Sequence, residues 1–298
     1  MRVEWPTLAL IAASYGLLMI CLFWVPMASL GLAVAILIPV IALQSSLQHE
    51  VLHGDPFARR WLGEMLVFPA FNLFVPYLRF RDTHLAHHQD ANLTDPYDDP
   101  ETNYLDPVVW SRLTGWRQAL LNANNTLSGR MILGPIIGQI AFMAADWRAI
   151  RAGDRAVLWG WLWHIPVTAA LVGLVIASPM PFWAYLLACY GGLAVLKIRT
   201  FLEHQAHARA SGRTAVIEDR GLLAFLFLNN NLHVVHHMHP RLPWYRLPAL
   251  YRANRDRYLT RNGGYAYASY AEVARRHLWR AKEPVPHPLY RAPAERRN

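Results

Sequence analysis

Four long apolar runs constrain this chain more than any other feature. They cover residues 7–25, 30–48, 157–177 and 181–198. A bilayer core of about 30 Å takes roughly 20 helical residues, so each run is long enough to span it. Only residues 26–29 separate the first two runs, and residues 178–180 the second two, with no charge in either connector. Such short connectors predict two tight helical hairpins. Charge gathers on the other flanks: Arg2, Arg59, Arg60, Arg148, Arg151, Arg155 and Arg199, followed by an arginine-rich C-terminal part. The positive-inside rule then places both hairpin mouths and both termini in the cytoplasm.

The expected fold is all-α and integral to the membrane: four spans in two hairpins, with a cytoplasmic cap of interfacial helices, forming a single domain over residues 1–298. Shorter apolar stretches at 66–77 and 131–145 suit helices lying in the interface. A third, 222–228, leads into a histidine cluster. Residues 90–107, dense in Asp, Asn and Pro, read as an exposed loop. The stretch from 283 to 298 reads as a loosely ordered basic tail.

Composition narrows the chemistry. Charged residues make up 16% of the chain, below the share usual for soluble domains. The two cysteines, Cys21 and Cys189, both fall inside apolar runs, so no disulfide framework or thiolate metal site can be built. The net charge of +9 comes almost wholly from arginine, since Lys197 and Lys282 are the only lysines. Interleaved with spans, that charge suits anionic lipid or an acidic protein partner, not nucleic acid. No nucleotide-binding glycine motif or fused electron-transfer domain is recognisable, so electrons for any redox step must come from a separate protein.

Fourteen histidines are the unusual count. HEVLH carries His49 and His53; HLAHH carries His84, His87 and His88; HVVHH carries His233, His236 and His237; and EHQAH adds His204 and His207. Spacings of three and four put the rings of one cluster on one face of a helix. Two HxxHH motifs by chance have a probability of roughly a thousandth or less. Eight or more imidazoles on one side of the membrane ask for two metal ions, since tetrahedral zinc takes four ligands. Imidazole suits iron, copper, nickel and zinc alike. A histidine-lined metal transporter is the competing class, although its ligands should sit near the bilayer midplane. His164, alone within the third run, reads as a helix–helix hydrogen bonder. His239, His277 and His287 read as structural or solvated. Glu50, Glu203, Asp82, Asp90, Asp95 and Asp98 stand beside the clusters as candidate acceptors for the second ring N–H of a ligand.

The three boxes and the hairpin topology resemble the membrane fatty acid desaturase family over nearly the whole chain. The run NNNLHVVHHMHPRLPWYRLPALYR is similar to the third box of bacterial acyl-lipid desaturases, and also to that of carotenoid ketolases and alkane hydroxylases. The resemblance implies two non-haem irons ligated by His49, His53, His84, His87, His88, His233, His236 and His237. His204 joins them by its distance from the third box, with His207 in reserve. It also implies dioxygen as co-substrate, a ferredoxin-like or small cytochrome electron donor, and desaturation of a lipid acyl chain. Hydroxylation or ketolation of a lipid or isoprenoid at the same site is the alternative. Relatives of the acyl-CoA branch hold a water on the metal through an asparagine, where this chain has Thr200. The three residues between the histidines of HEVLH, where that branch has four, point towards acyl-lipid or specialised bacterial members.

Overall fold

An uncharged apolar run leaves its peptide groups no partner but one another in hydrocarbon, and here each long run closes into a helix. The computed structural model describes residues 3–291 except Asp55, Ala58 and Gln89; the side chain of Asp90 also lies outside the described residues. Contacts divide the chain into two compact units. One comprises Met1–Arg81, Pro135–Leu196 and Phe225–Leu228; the other Asp82–Gly134, Lys197–Ala224 and Asn229–Asn298.

The first unit holds the long helices. Helix α1 (Trp5–Phe23) starts on a proline in its first turn and runs on, after a break at Trp24, into Val25–Ala28. Ser29 caps α2 (Leu30–His53), its Oγ accepting the Leu32 N–H at 3.2 Å. Further along lie α3 (Arg60–Val67), the first half of α4 (Tyr77–His87), nearly all of α5 (Gly134–Arg151), α6 (Arg155–Ile176) and α7 (Phe182–Thr200) up to Leu196. Four segments are long and apolar enough to cross a membrane: Trp5–Ala28, Leu30–His53, Arg155–Ile176 and Phe182–Thr200. They match the four runs expected from sequence. Large apolar side chains stand outward along them, among them Trp5, Met27, Leu32, Trp159, Trp163, Ile165 and Trp183. A soluble surface rarely carries so much exposed hydrocarbon. Inside, Leu18, Leu22, Leu37, Ile41, Val175 and Tyr185 pack into one core. Gly191 and Gly192 let α7 approach α2: a Cβ on either would stand 2.6 or 2.7 Å from a side-chain carbon of Ile38 or Ile41.

Residues 68–76 depart from expectation. Where an interfacial helix is predicted over 66–77, the helix ends at Val67 and irregular chain follows to Tyr77. Pro69 and Pro76 explain the break, because neither supplies an N–H. The buried carbonyls there are taken by side chains. Gln44 and Gln48 donate to Val67, Gln44 to Pro69, Tyr185 to Phe71, and His164 to Leu73 at 2.9 Å. His164 is thus a structural hydrogen bonder. The second expected interfacial stretch, 131–145, is helical, most of it within the longer α5.

The second unit is not purely helical. Short strands β1 (Val216–Ile217) and β2 (Ala266–Tyr267) pair in parallel. Helix α8 (His233–Met238) packs beside them, with Val216, Leu232, Val235, Leu247 and Tyr258 in the core. The loop 90–107 is largely folded inward, with Leu93, Thr94, Asp99, Tyr104 and Asp106 buried. The described part of the predicted tail, up to Arg291, is likewise built in as far as Tyr290: Val285 and His287 are buried, and Leu105 pairs with Pro286. Residues 292–298 lie outside the described residues.

Candidate metal centre

The spacing of HLAHH keeps His84 and His87 on the last turn of α4, with His88 following as its N–H bonds the His84 carbonyl. HVVHH forms α8, whose start is fixed by the preceding asparagines. Asn229 donates to the Trp244 carbonyl, Asn230 to Glu203, and Asn231 to the Ile217 and Asp219 carbonyls. Asn229 adopts φ 58°, a left-handed conformation that asparagine tolerates. His204 lies beyond the end of α7, bridged to Thr214.

These elements bring seven imidazoles of the second unit into two groups. One nitrogen from each of His84, His88 and His236 lies within 4.8 Å of the others, and the same holds for His87, His204, His233 and His237. In the first group His88 Nε2 is 3.0 Å from His84 Nε2 and 3.1 Å from His236 Nε2. In the second, His204 Nε2 is 2.8 Å from His87 Nε2 and 3.0 Å from His233 Nε2, which is 3.2 Å from His237 Nε2. In the first unit, His49 and His53 sit on the last turns of α2 with ring centroids 5.0 Å apart. His207 stands in neither group; its Nδ1 contacts the Arg209 backbone. His239, His277 and His287 also stand outside both groups.

For three of the rings the opposite edge explains why Nε2 faces inward. His84 Nδ1 meets Glu101 at 2.9 Å, His87 Nδ1 meets Asp99 at 2.7 Å, and His233 Nδ1 meets Asn230 Oδ1 at 3.2 Å. An Nδ1–H given to an acceptor leaves Nε2 as the lone-pair nitrogen. Several lone pairs about 3 Å apart repel one another unless a cation lies among them. With metal–nitrogen bonds of about 2.1 Å, ligands at right angles stand about 3.0 Å apart and tetrahedral ones about 3.4 Å. The observed separations, all within 4.8 Å in each group, are those of nitrogens that can share a metal ion.

Electrostatics agree. Burial and the neighbouring imidazoles hold His204 and His233 well below the usual histidine range, in the neutral form that ligates. Burial opposes charge on His87 too, but Glu101 and Asp99 outweigh it and push that ring up to about 9. Burial would raise the Glu101 carboxyl, yet His84 and His87 hold it well below the carboxylate range. A site where carboxylates favour an imidazolium also favours a metal cation.

Among the acids singled out from sequence, Glu203 stands behind this cluster: it accepts from Asn230 and pairs with Arg199 at 2.9 Å. Asp95 instead caps a turn through the Tyr97 and Asp98 N–H groups. Glu50 lies on α2 between His49 and His53, Asp82 on α4, and Asp98 in the following loop; the Asp90 side chain is outside the described residues. Sequence reading missed Asp99 and Glu101. They lie twelve and seventeen residues from their histidines, on irregular chain with no period to reveal them.

With fold and cluster in place, comparison supplies the class. A profile of the fatty acid desaturase family matches residues 4–269, and the chain belongs to that family. It is 27% identical over 248 residues to a beta-carotene ketolase of Paracoccus sp. (strain PC1), covering 80% of this chain and 81% of that protein. It is 25% identical over 218 residues to the beta-carotene ketolase of Paracoccus sp. (strain N81106 / MBIC 01143), covering 67% and 70% respectively. The chain is therefore an oxidoreductase of the desaturase and ketolase type. Its family and its histidine clusters are consistent with a non-haem di-iron centre, and its four apolar helices with a place in the membrane.

Proposed function

We propose that this chain is an oxygen-dependent desaturase of a long acyl chain on membrane lipid, working through two irons held by histidine. The observation that carries the reading is the pair of Nε2 clusters in a chain of the desaturase family. His87, His204, His233 and His237 hold one ion; His84, His88 and His236 hold the other. His49 and His53 complete the ligand set, on the strength of their spacing and the family pattern. When bound, the irons supply, with dioxygen and two external electrons, an oxidising power that no protein side chain has. The chain's own part is to aim the imidazoles, with Asp99, Glu101 and Asn230 fixing their tautomers. The two-hairpin topology keeps both termini and the metal site in the cytoplasm. There an acidic ferredoxin-like or small cytochrome donor would dock on the arginine-rich face, and reconstituted activity should fall with rising salt.

The beta-carotene ketolase relatives favour a second reading, oxygen insertion into a lipid or isoprenoid at the same centre. Mass spectrometry of lipids from a host expressing wild type, His87→Ala and His236→Ala separates the two. A product two hydrogens lighter, formed only by wild type under air, supports desaturation. One oxygen heavier means hydroxylation, and one oxygen heavier but two hydrogens lighter means ketone formation. Metal uptake without reductant-dependent oxygen consumption would overturn both readings in favour of transport.

A further inference from the structure

Six of the seven imidazoles in the second unit ride on α4, just past its end, or on α8, where helical spacing aims them. His204 has no helix beneath it, since α7 stops at Thr200. Its peptide neighbourhood is clamped from two sides. On one side it bridges to Thr214, while the Gln205 N–H and Nε2 donate to the Arg213 and Gly212 carbonyls, both at 2.9 Å.

The other side is closed by a segment beyond residue 269, where the family match ends. Residues 278–290 run as a strap along this unit. Its Leu278 carbonyl accepts from Ser128 N–H and Oγ at 3.1 and 2.6 Å. Further on, the Val285 carbonyl accepts from Leu105 N–H, and the His287 N–H returns to the Leu105 carbonyl at 2.8 Å. Between these anchors, Lys282 Nζ donates to the His204 carbonyl. Glu283 Oε1 accepts the Ala206 N–H at 3.2 Å, and Glu283 Oε2 accepts from the Tyr104 hydroxyl. That hydroxyl oxygen itself accepts the Ala206 N–H at 2.9 Å. Both peptide groups flanking Gln205 are thereby held by two consecutive strap residues. Such contacts differ in kind from those of Asp99 and Glu101, which touch imidazoles directly.

We propose that Lys282 and Glu283 are positioning residues for the metal held by His87, His204, His233 and His237, acting through the backbone of His204. The proposal rests on the di-iron reading. Outer-shell substitutions at metal sites typically cost 10–100-fold in affinity. The test is extraction of iron by graded chelator from purified, iron-loaded full-length protein, with Mössbauer spectra of the remaining ion and a melting curve for each variant. In Lys282→Met and Glu283→Leu, one iron should leave at about 10–100-fold lower chelator while the other stays as in wild type. Glu283→Gln, which keeps an acceptor for the Ala206 N–H, should restore wild-type extraction. Ser128→Ala, loosening the strap away from His204, should lower the melting temperature without separating the two irons. Wild-type extraction in Lys282→Met and Glu283→Leu would overturn the proposal. So would equal loosening of both irons that merely follows the loss in melting temperature. A wild-type chain that binds no iron would instead sink the di-iron reading, and the proposal with it.

Discussion

Substituting Asp146 by leucine should destabilise the protein strongly, and the size of the effect follows from what the carboxylate holds. Asp146 accepts from Arg79 Nε and Nη2, both at 2.9 Å, and from Trp161 Nε1 at 2.8 Å. The pair is buried, with 11% of the Arg79 side chain and 5% of the Asp146 side chain exposed. Gly160 leaves the room for it, since a Cβ there would stand 2.9 Å from Arg79 Cδ. Asp146→Leu removes the carboxylate that the guanidinium and the indole N–H share, and breaking a buried pair costs about 3–5 kcal/mol. At about 2–4 °C per kcal/mol, the melting temperature should fall by roughly 6–20 °C. Cys21 and Cys189 are both free and buried, so a thiol-reactive dye reports unfolding in detergent without any added probe. The double variant Arg79→Met/Asp146→Leu removes both charges and should recover most of the loss, because the penalty lies in a buried cation that has lost its carboxylate. A single variant melting within about 2 °C of wild type would refute the reasoning, given the size of shift expected. So would a double variant no more stable than the single.

Glu101→Gln and Asp99→Asn, which weaken the acceptors behind His84 and His87, should each lower metal affinity by about 10–100-fold in chelator competition while the chain stays folded. Gly192→Val drives a Cβ to 2.7 Å from Ile41 Cγ2 and 3.3 Å from the Ile38 carbonyl, and overpacking of this kind costs about 1–3 kcal/mol, read from the same dye melt. Glu218 pairs with Arg255 at 2.6 Å, and hydrogen bonding to that guanidinium holds its carboxyl below the usual range. Its folded value lies below its unfolded one, so its stabilisation is full above the ordinary glutamate value of 4.5 and fades as pH falls further. Glu218→Gln should therefore melt lower than wild type at neutral pH and converge with it in acid; parallel melting curves across that range would contradict the assignment.

What was legible in the sequence was encoded locally. An apolar run shows its length directly, and hydrocarbon accepts few structures of that length other than a helix. The spacing of His84, His87 and His88, or of His233, His236 and His237, likewise fixes a shared face within a turn of helix. Other features depended on partners far away in sequence. The inward fold of residues 90–107 follows from Asp99, which accepts the Thr94 and Glu101 N–H groups as well as His87, and no single one of those bonds is visible in composition. The break after Val67 did carry a signal, in Pro69, Asn72 and Pro76, which outweighs the apolar content of the stretch. The strap carried none, because its Leu105 pairing uses backbone groups that any residue offers.

That division bears on how such a chain acquires its reaction. On the di-iron reading proposed above, the ligand spacing says only that an unactivated C–H bond would be oxidised at this centre, since desaturation, hydroxylation and ketone formation would share the one site. On that reading the outcome follows from how a substrate chain is held against the metals, and so from packing and from supports such as Asp99, Glu101 and the proposed strap. Two ketolases at 25% and 27% identity align over most of their length with this chain. Exchanging apolar residues of α2 and α7 for those of a ketolase should then change the product before it changes the iron content. If every exchange that altered the product also stripped iron, product choice would reside in the ligands themselves.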